Sequence, residues 1–455
     1  MNQTPLQEKT AEQVSSPKQA LQEKPLPSLH PKWHALRILT FAATMLIVAV
    51  IGVLIFLRPT ESESEKRELT RFPELTWDAL ISGDYFSDIT TWYADSFPGR
   101  EGIIKMNQGI KSLFGIRTVQ IISNDKADPN DTFDPNSPEA DIPIDRLGSV
   151  YVKGNTAYEL YKETPENSQK YAALISKAAE QLEGKATVYD MIIPLSSSVN
   201  LSEKELKQVG SSDAEAAIDR MFGQMSDIVP VEVYDILREH NDEYLYFRTD
   251  HHWTALGAYY SYVKFCEAAG MTPYSLSYWQ EYQFEGFLGT LYAEAGSPAQ
   301  LGNTPDTVHA WIPNGTNKIY LIDQDGNEQF YKTGGGVVRI DDKFYQAAGS
   351  QYNRFIMGDN PFSEIHNEAI TNGSSIVVVK ESFGNAFVPF LVDHYEYVYV
   401  IDYRYFTNTT GNNTTGKTLQ EFVTEMNVDT VLFINNLTAT STSQRLYELE
   451  KLLKD

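Results

Sequence analysis

The chain has 455 residues, 42% hydrophobic and 12% aromatic, enough for one large core with appendages. Its formal charge of −24 opposes nucleic-acid binding, which depends on Lys and Arg. Residues 1–57, with five Lys/Arg against three Glu, leave −26 on the remainder. A single cysteine, Cys266, excludes an intrachain disulfide and thiolate zinc sites.

Residues 1–37 are mostly Gln, Glu, Lys, Pro and Ser without apolar periodicity, the composition of a disordered tail. Ile38 to Leu57 is an uncharged apolar run of twenty residues. At about 1.5 Å per residue it matches a hydrocarbon layer of roughly 30 Å, and a transmembrane helix is expected over 38–57. Lys32 and Arg37 before it outweigh Arg58 after it, which places the N-terminus in the cytoplasm and the main domain outside, on a single-pass cell-membrane protein. The run is too long for a signal-peptide core and no small-residue cleavage site follows, so the anchor should stay uncleaved. Residues 58–149 read as a charged stalk and a helical and loop region, with a Pro/Asp/Asn-rich loop over Asn124–Asp145.

From residue 150 to 455 strand and helix signals alternate. A strand at Ser149–Lys153 turns at Gly154-Asn155, and Asn167–Gly184 has the apolar period of a helix. Thr187–Ile193 is a buried strand ended by Pro194; Ser212 to Glu215 is a capping box opening a helix through Met225; Val231–Ile236 is a short strand. Thr254–Ala269 is a helix that Gly270 closes and that carries Cys266 on its apolar side. Ser375–Val379, Tyr397–Ile401 and Thr430–Ile434 are apolar strands; Thr418 to Glu421 is a second capping box, and Leu446–Leu453 a last helix. Strands apolar throughout, separated by amphipathic helices, make an α/β fold with a mostly parallel sheet covered on both faces. Residues 279–372 interrupt it with a β-rich insert that has the pattern of a small subdomain.

Two blocks carry the chemistry. Ser382, in Lys380-Glu381-Ser382-Phe383-Gly384-Asn385, follows an apolar strand, at the sheet edge where α/β proteins hold ligands. A serine there can act as a nucleophile, with the backbone around Gly384 and the Asn385 amide as oxyanion donors; it can equally cap the helix expected at Asn385–Leu391. His252, in Asp250-His251-His252-Trp253, is the candidate base, and Asp250 would orient it. The same residues are compatible with a metal site or with a structural loop anchored by Trp253. Lys380 and Glu381 could pair with each other. Arg404 and Tyr403, at the end of the next strand, are candidates for holding a sugar or an anion.

The block Tyr246 to Thr254, the serine block, Asp95 to Arg100 and the opening Glu65 to Pro73 resemble the DHHW protein family of bacterial surfaces, over about residues 60–440. That family is similar to the SGNH-like O-acetyltransferase domains of alginate-acetylating proteins. The resemblance implies a three-layer α/β/α SGNH-hydrolase-like domain in which Asp250, His252 and Ser382 form the triad, with His251 as the other histidine that could serve as base. It implies acyl transfer, acetyl in particular, to or from hydroxyls of a cell-surface polysaccharide. No metal and no organic cofactor is called for, and a multispanning membrane acyltransferase would supply the acyl group. A polysaccharide esterase and a non-catalytic glycan-binding or assembly protein are the alternatives.

Overall fold

The computed structural model describes residues 38–46, 61–62, 67–68, 71–73, 75–77, 84–97, 120–122, 149–341, 348–409 and 414–454. The tail 1–37, the loop Asn124–Asp145 and residues 47–57 of the expected span lie outside them. The chain divides into two compact units, Met1–Thr60 with Leu69–Arg100, and Glu61–Glu68 with Glu101–Asp455. In the first, residues 38–46 and Asp84–Asp95 are helical. Among the described residues no helix is long and apolar enough to cross a membrane.

The second unit holds the candidate site. Its strands β1 (Gln120–Ile122), β2 (Val150–Lys153) and β3 (Thr156–Glu159) form an antiparallel sheet whose β2–β3 turn uses Gly154 at φ +64°. Helix α1 (Pro165–Gln181) and strand β4 (Thr187–Ile193) follow. Beyond two short helices, Ser196–Asn200 and Glu203–Val209, helix α2 (Ala214–Gln224) is capped by Asp213, whose carboxylate accepts from the Ala216 amide. Ser212, the expected cap, instead accepts from the Glu163 amide. The segment read as a strand at Val231–Ile236 is a correction as well: strand β5 (Val229–Pro230) ends before it, and helix α3 (Tyr234–Glu239) begins inside it. Val231, Val233 and Leu237 are all buried, so packing satisfies either pattern and the helix prevails. Helix α4 (Ala255–Ala268) starts at the Thr254 cap, and Cys266 on it is fully buried, its thiol pushed up to about 12 by burial.

Strands β6 (Gln280–Phe287) and β7 (Asp306–Ile312) make a separate ribbon. Strands β8 (Ile319–Ile322), β9 (Glu328–Tyr331) and β10 (Phe362–His366) come next, then β11 (Ser375–Lys380), β12 (Tyr397–Asp402), helix α5 (Leu419–Met426), β13 (Thr430–Asn436) and helix α6 (Ser443–Leu452). The main sheet has the order β9-β8-β10-β12-β11-β13-β4-β5. From β12 to β5 every pairing is parallel, and β10, β8 and β9 extend the sheet antiparallel. Three strands of the expected insert therefore belong to this sheet, and two form the ribbon.

Alternate residues of the parallel strands enter two cores. Val188, Val377, Val379, Val431 and Phe433 pack with α1, α2, α5 and α6. Met191, Ile376, Val378, Leu432 and Ile434 pack with α3, α4 and the β6–β7 ribbon. Each such side chain contributes about 1.5–3 kcal/mol on burial, so strand register and site position are fixed together.

Asp190 of β4 breaks this apolar pattern. It is fully buried, accepts from the Tyr171 hydroxyl at 2.6 Å, and has no partner for its second oxygen. Burial pushes its carboxyl up to about 7. The native state thus keeps a proton that the unfolded chain gives up near its ordinary value, and stability falls as pH rises from about 4 to about 7. Asp190→Asn should remove that fall: its stability advantage over the parent, read by urea denaturation, should grow by about 1 kcal/mol per pH unit across the window and level off above it.

Candidate functional site

The segment from Tyr246 to Trp253 is a closed loop. Tyr246 and Trp253 form an antiparallel bridge, and the Phe247 amide donates to the His252 carbonyl at 3.3 Å. Asp306, at the start of β7 and fully buried, holds one side of it. Its carboxylate accepts from the Arg248 and Thr249 amides at 3.1 and 2.8 Å and from the Thr249 hydroxyl at 2.6 Å. On the other side the Trp253 indole donates to the Phe383 carbonyl at 2.9 Å, which ties this loop to the serine turn. Trp253, fully buried, is the packing anchor of the motif.

Asp250 stands at the tip. One oxygen accepts from His252 Nδ1 at 2.6 Å and from the His252 amide at 3.0 Å. The other accepts from the Thr290 amide at 2.9 Å and the Thr290 hydroxyl at 3.1 Å. Gly289 leaves room for this approach: a Cβ there would sit 2.2 Å from Asp250. Burial alone would push the Asp250 carboxyl up. The imidazoles of His252 and His251 and the hydrogen bonds outweigh it and hold the group well below the usual carboxylate range. An ionised Asp250 only accepts, so His252 Nδ1 carries the hydrogen and Nε2 of the neutral ring has a lone pair. That lone pair faces Ser382 Oγ at 2.7 Å. The Tyr352 ring stacks on His252 at 3.9 Å, and its hydroxyl donates to the Ser382 carbonyl at 3.1 Å.

Of the two histidines, His252 reaches the serine. His251 packs against it at 3.8 Å and has Nδ1 2.5 Å from the Thr290 hydroxyl. Asp250, His251 and His252 bring three metal-ligand atoms within 4.8 Å of one another, but His252 Nδ1 and His251 Nδ1 are engaged in the bonds just given.

Ser382 opens a 3₁₀ turn, Ser382–Ala386, directly after β11, in place of the helix expected from Asn385. Gly384 lets that turn fold back, since a Cβ there would meet the Lys380 side chain at 2.6 Å. The neighbouring amides are committed: Gly384 donates to the Glu381 carbonyl at 3.0 Å and Phe383 to the Glu381 carboxylate at 3.1 Å. Lys380 and Glu381 do not pair. Lys380 bonds Asp402 at 2.7 Å and Asp359 at 3.2 Å, because Lys380 and Asp402 occupy matching positions at the ends of parallel strands. Asn385 donates to Asp359 at 2.9 Å. Arg404 chelates Asp402 at 2.8 and 2.7 Å and reaches Asp359 at 2.9 Å; Tyr403 donates to Asn435 at 2.7 Å. Asn385, Arg404 and Tyr403 are buried in this network beneath the serine rather than turned outward. Asp250, His252 and Ser382 are 3–6% exposed.

The loops after β11, β12 and β13 and the Asp250 loop thus meet at one edge of the parallel sheet. A model of the family described as DHHW protein matches residues 65–143 and 120–401. The chain belongs to the DHHW protein family. A crystal structure of a DHHW family protein from Eubacterium siraeum is similar at 27% identity and TM-score 0.56, over 68% of this chain and 96% of that one. PatB1 of Bacillus cereus, in a structure with a sulfonyl adduct, matches at 17% identity and TM-score 0.51, over 65% of this chain and 97% of that one. The O-acetyltransferase domain of Pseudomonas putida AlgJ matches at 12% identity and TM-score 0.36, over 67% and 99%, too weakly to carry an argument. No curated protein matches the chain in sequence. This DHHW protein therefore shares with PatB1 a mixed α/β fold built on a large, mostly parallel sheet.

Thr290, Asp306 and Tyr352 were not legible as site residues. They come from the insert and have no motif of their own; Gly289, next to Thr290, is a local signal.

Proposed function

We propose that this DHHW protein is a serine-dependent acyltransferase with a three-layer SGNH-type domain. It would move an acyl group, acetyl in particular, onto hydroxyls of a cell-surface polysaccharide. The observation that carries this reading is the continuous chain Asp250–His252–Ser382, with contacts of 2.6 and 2.7 Å. Ser382 Oγ attacks the donor carbonyl while its hydrogen passes to His252 Nε2; Asp250 stabilises the imidazolium. The imidazolium returns the proton to the leaving group, and an ester on Ser382 remains. A sugar hydroxyl then gives its proton to His252 and attacks the ester; His252 returns that proton to Ser382 Oγ as the ester bond to serine breaks, and the sugar leaves acetylated. The acetyl group and the polysaccharide acceptor are supported by the motif resemblance.

Residues 38–57 are proposed as a single-pass anchor with a cytoplasmic N-terminus, which puts the catalytic domain outside the cell. A multispanning membrane acyltransferase would then deliver the acyl group. The test is full-length protein in detergent with p-nitrophenyl acetate and surface oligosaccharides. Acetylated oligosaccharide, seen by mass spectrometry, is expected. Release of acetate alone with acceptor present would make the protein an esterase, and absence of any acetyl ester on Ser382 would end the reading.

A further inference from the structure

One side chain at the serine has no part in the relay. Glu381 is buried, with 3% of its surface exposed. Its Oε2 lies 3.2 Å from Ser382 Oγ and 3.1 Å from the Phe383 amide, and its Oε1 takes the Asn436 amide at 2.9 Å. The carboxyl is therefore fixed by two backbone donors, one from the serine turn and one from the end of β13. Its remaining contact is with the reacting oxygen.

Ser382 has one hydroxyl hydrogen and two acceptors in reach, His252 Nε2 at 2.7 Å and Glu381 Oε2 at 3.2 Å. A hydrogen given to Glu381 is lost to the base. An ionised carboxylate beside Oγ also opposes the negative charge that builds on the carbonyl oxygen during attack. A neutral carboxyl reverses both effects. Its O–H can donate to a lone pair of Oγ while Oε2 still accepts from Phe383 and Oε1 from Asn436.

On the catalytic reading of this serine, we propose that protonated Glu381 is a further catalytic residue: it donates its hydrogen to Ser382 Oγ and so directs the serine hydrogen to His252 Nε2. Ionised Glu381 accepts that hydrogen itself and holds the serine out of reaction. Glu381 keeps its own proton through the cycle; the proton that moves passes from Ser382 to His252 and on to the leaving group.

The surroundings shift Glu381 toward the neutral form. Burial pushes the carboxyl up, and this outweighs the opposing pull of Arg404, the two amides and His251. The groups facing Glu381 are Arg404 from the turn after β12, His251 from the Asp250 loop, and the hydroxyls of Tyr352 and Tyr403, both of which stay neutral because burial raises them far above their ordinary value.

The test measures acetylation of Ser382 by p-nitrophenyl acetate, read by intact mass, from pH 5 to pH 9 in the full-length protein, with Glu381→Gln and Glu381→Met. The parent rate should fall toward alkaline pH as Glu381 ionises. Glu381→Gln, a permanently neutral donor, should stay within about one order of magnitude of the parent optimum and lose the alkaline fall. Glu381→Met, with neither donor nor acceptor, should be slower by about 10²-fold at every pH, with KM unchanged. Circular dichroism checks that both variants fold. Superimposable profiles for the parent and Glu381→Gln, with Ser382 still acetylated, would overturn this proposal alone. Acetylation absent from Ser382 in every form would overturn it together with the catalytic reading.

Discussion

Ser382→Ala should remain folded and lose at least about 10⁴-fold in turnover of p-nitrophenyl acetate. The substitution removes Oγ, whose contacts are His252 Nε2 and Glu381, and spares what holds the turn together. The Tyr352 hydroxyl still donates to the residue 382 carbonyl, and the Trp253 indole to that of Phe383. Loss of one hydroxyl with these bonds should cost about 1 kcal/mol of stability. A melting temperature close to the parent's, together with the loss of turnover, assigns the chemistry to this oxygen. Turnover at the parent rate would remove Ser382 from the mechanism whatever its distance from His252.

Asp402→Asn should have the largest effect on stability. Asp402 is fully buried and is shared by Lys380 Nζ at 2.7 Å and the Arg404 guanidinium at 2.8 and 2.7 Å. Lys380 and Arg404 are 0% and 1% exposed, and both also reach Asp359. An asparagine of the same shape removes the carboxylate that both cations share and leaves excess buried positive charge, a loss of about 3–5 kcal/mol. The urea midpoint should fall with an unchanged slope. Because Lys380 lies two residues before Ser382, the variant should also acetylate more slowly. A change in stability below about 1 kcal/mol would mean that the remaining carboxylates neutralise both cations.

The parts of the fold that were legible are those specified by nearby residues. The strands at Thr187–Ile193 and Ser375–Lys380 are unbroken apolar runs, and the Thr418–Glu421 capping box forms with both of its bonds. The segment after Val231 was misread because two valines and a leucine bury equally well as strand or helix. Within the β-rich insert, Val338 makes only an isolated bridge to Phe355, whereas β6 and β7 pair as a ribbon. Alternation in a β-rich segment says that strands exist, and pairing partners distant in the chain decide which ones form.

The candidate site divides in the same way. Which residue types are brought to it was determined by the amino-acid sequence itself: an acid and two histidines in one short block, and a serine after an apolar strand. Which histidine faces the serine was decided only in the tertiary structure, by the Tyr246–Trp253 bridge and the Thr290 and Asp306 bonds that orient the loop. The inward turn of Arg404 and Asn385 was decided there too, because Asp359 and Asp402 meet them, and that of Tyr403 by its bond to Asn435. A buried charge takes its partner from whatever the packing of the chain places beside it, and no local pattern encodes that neighbour.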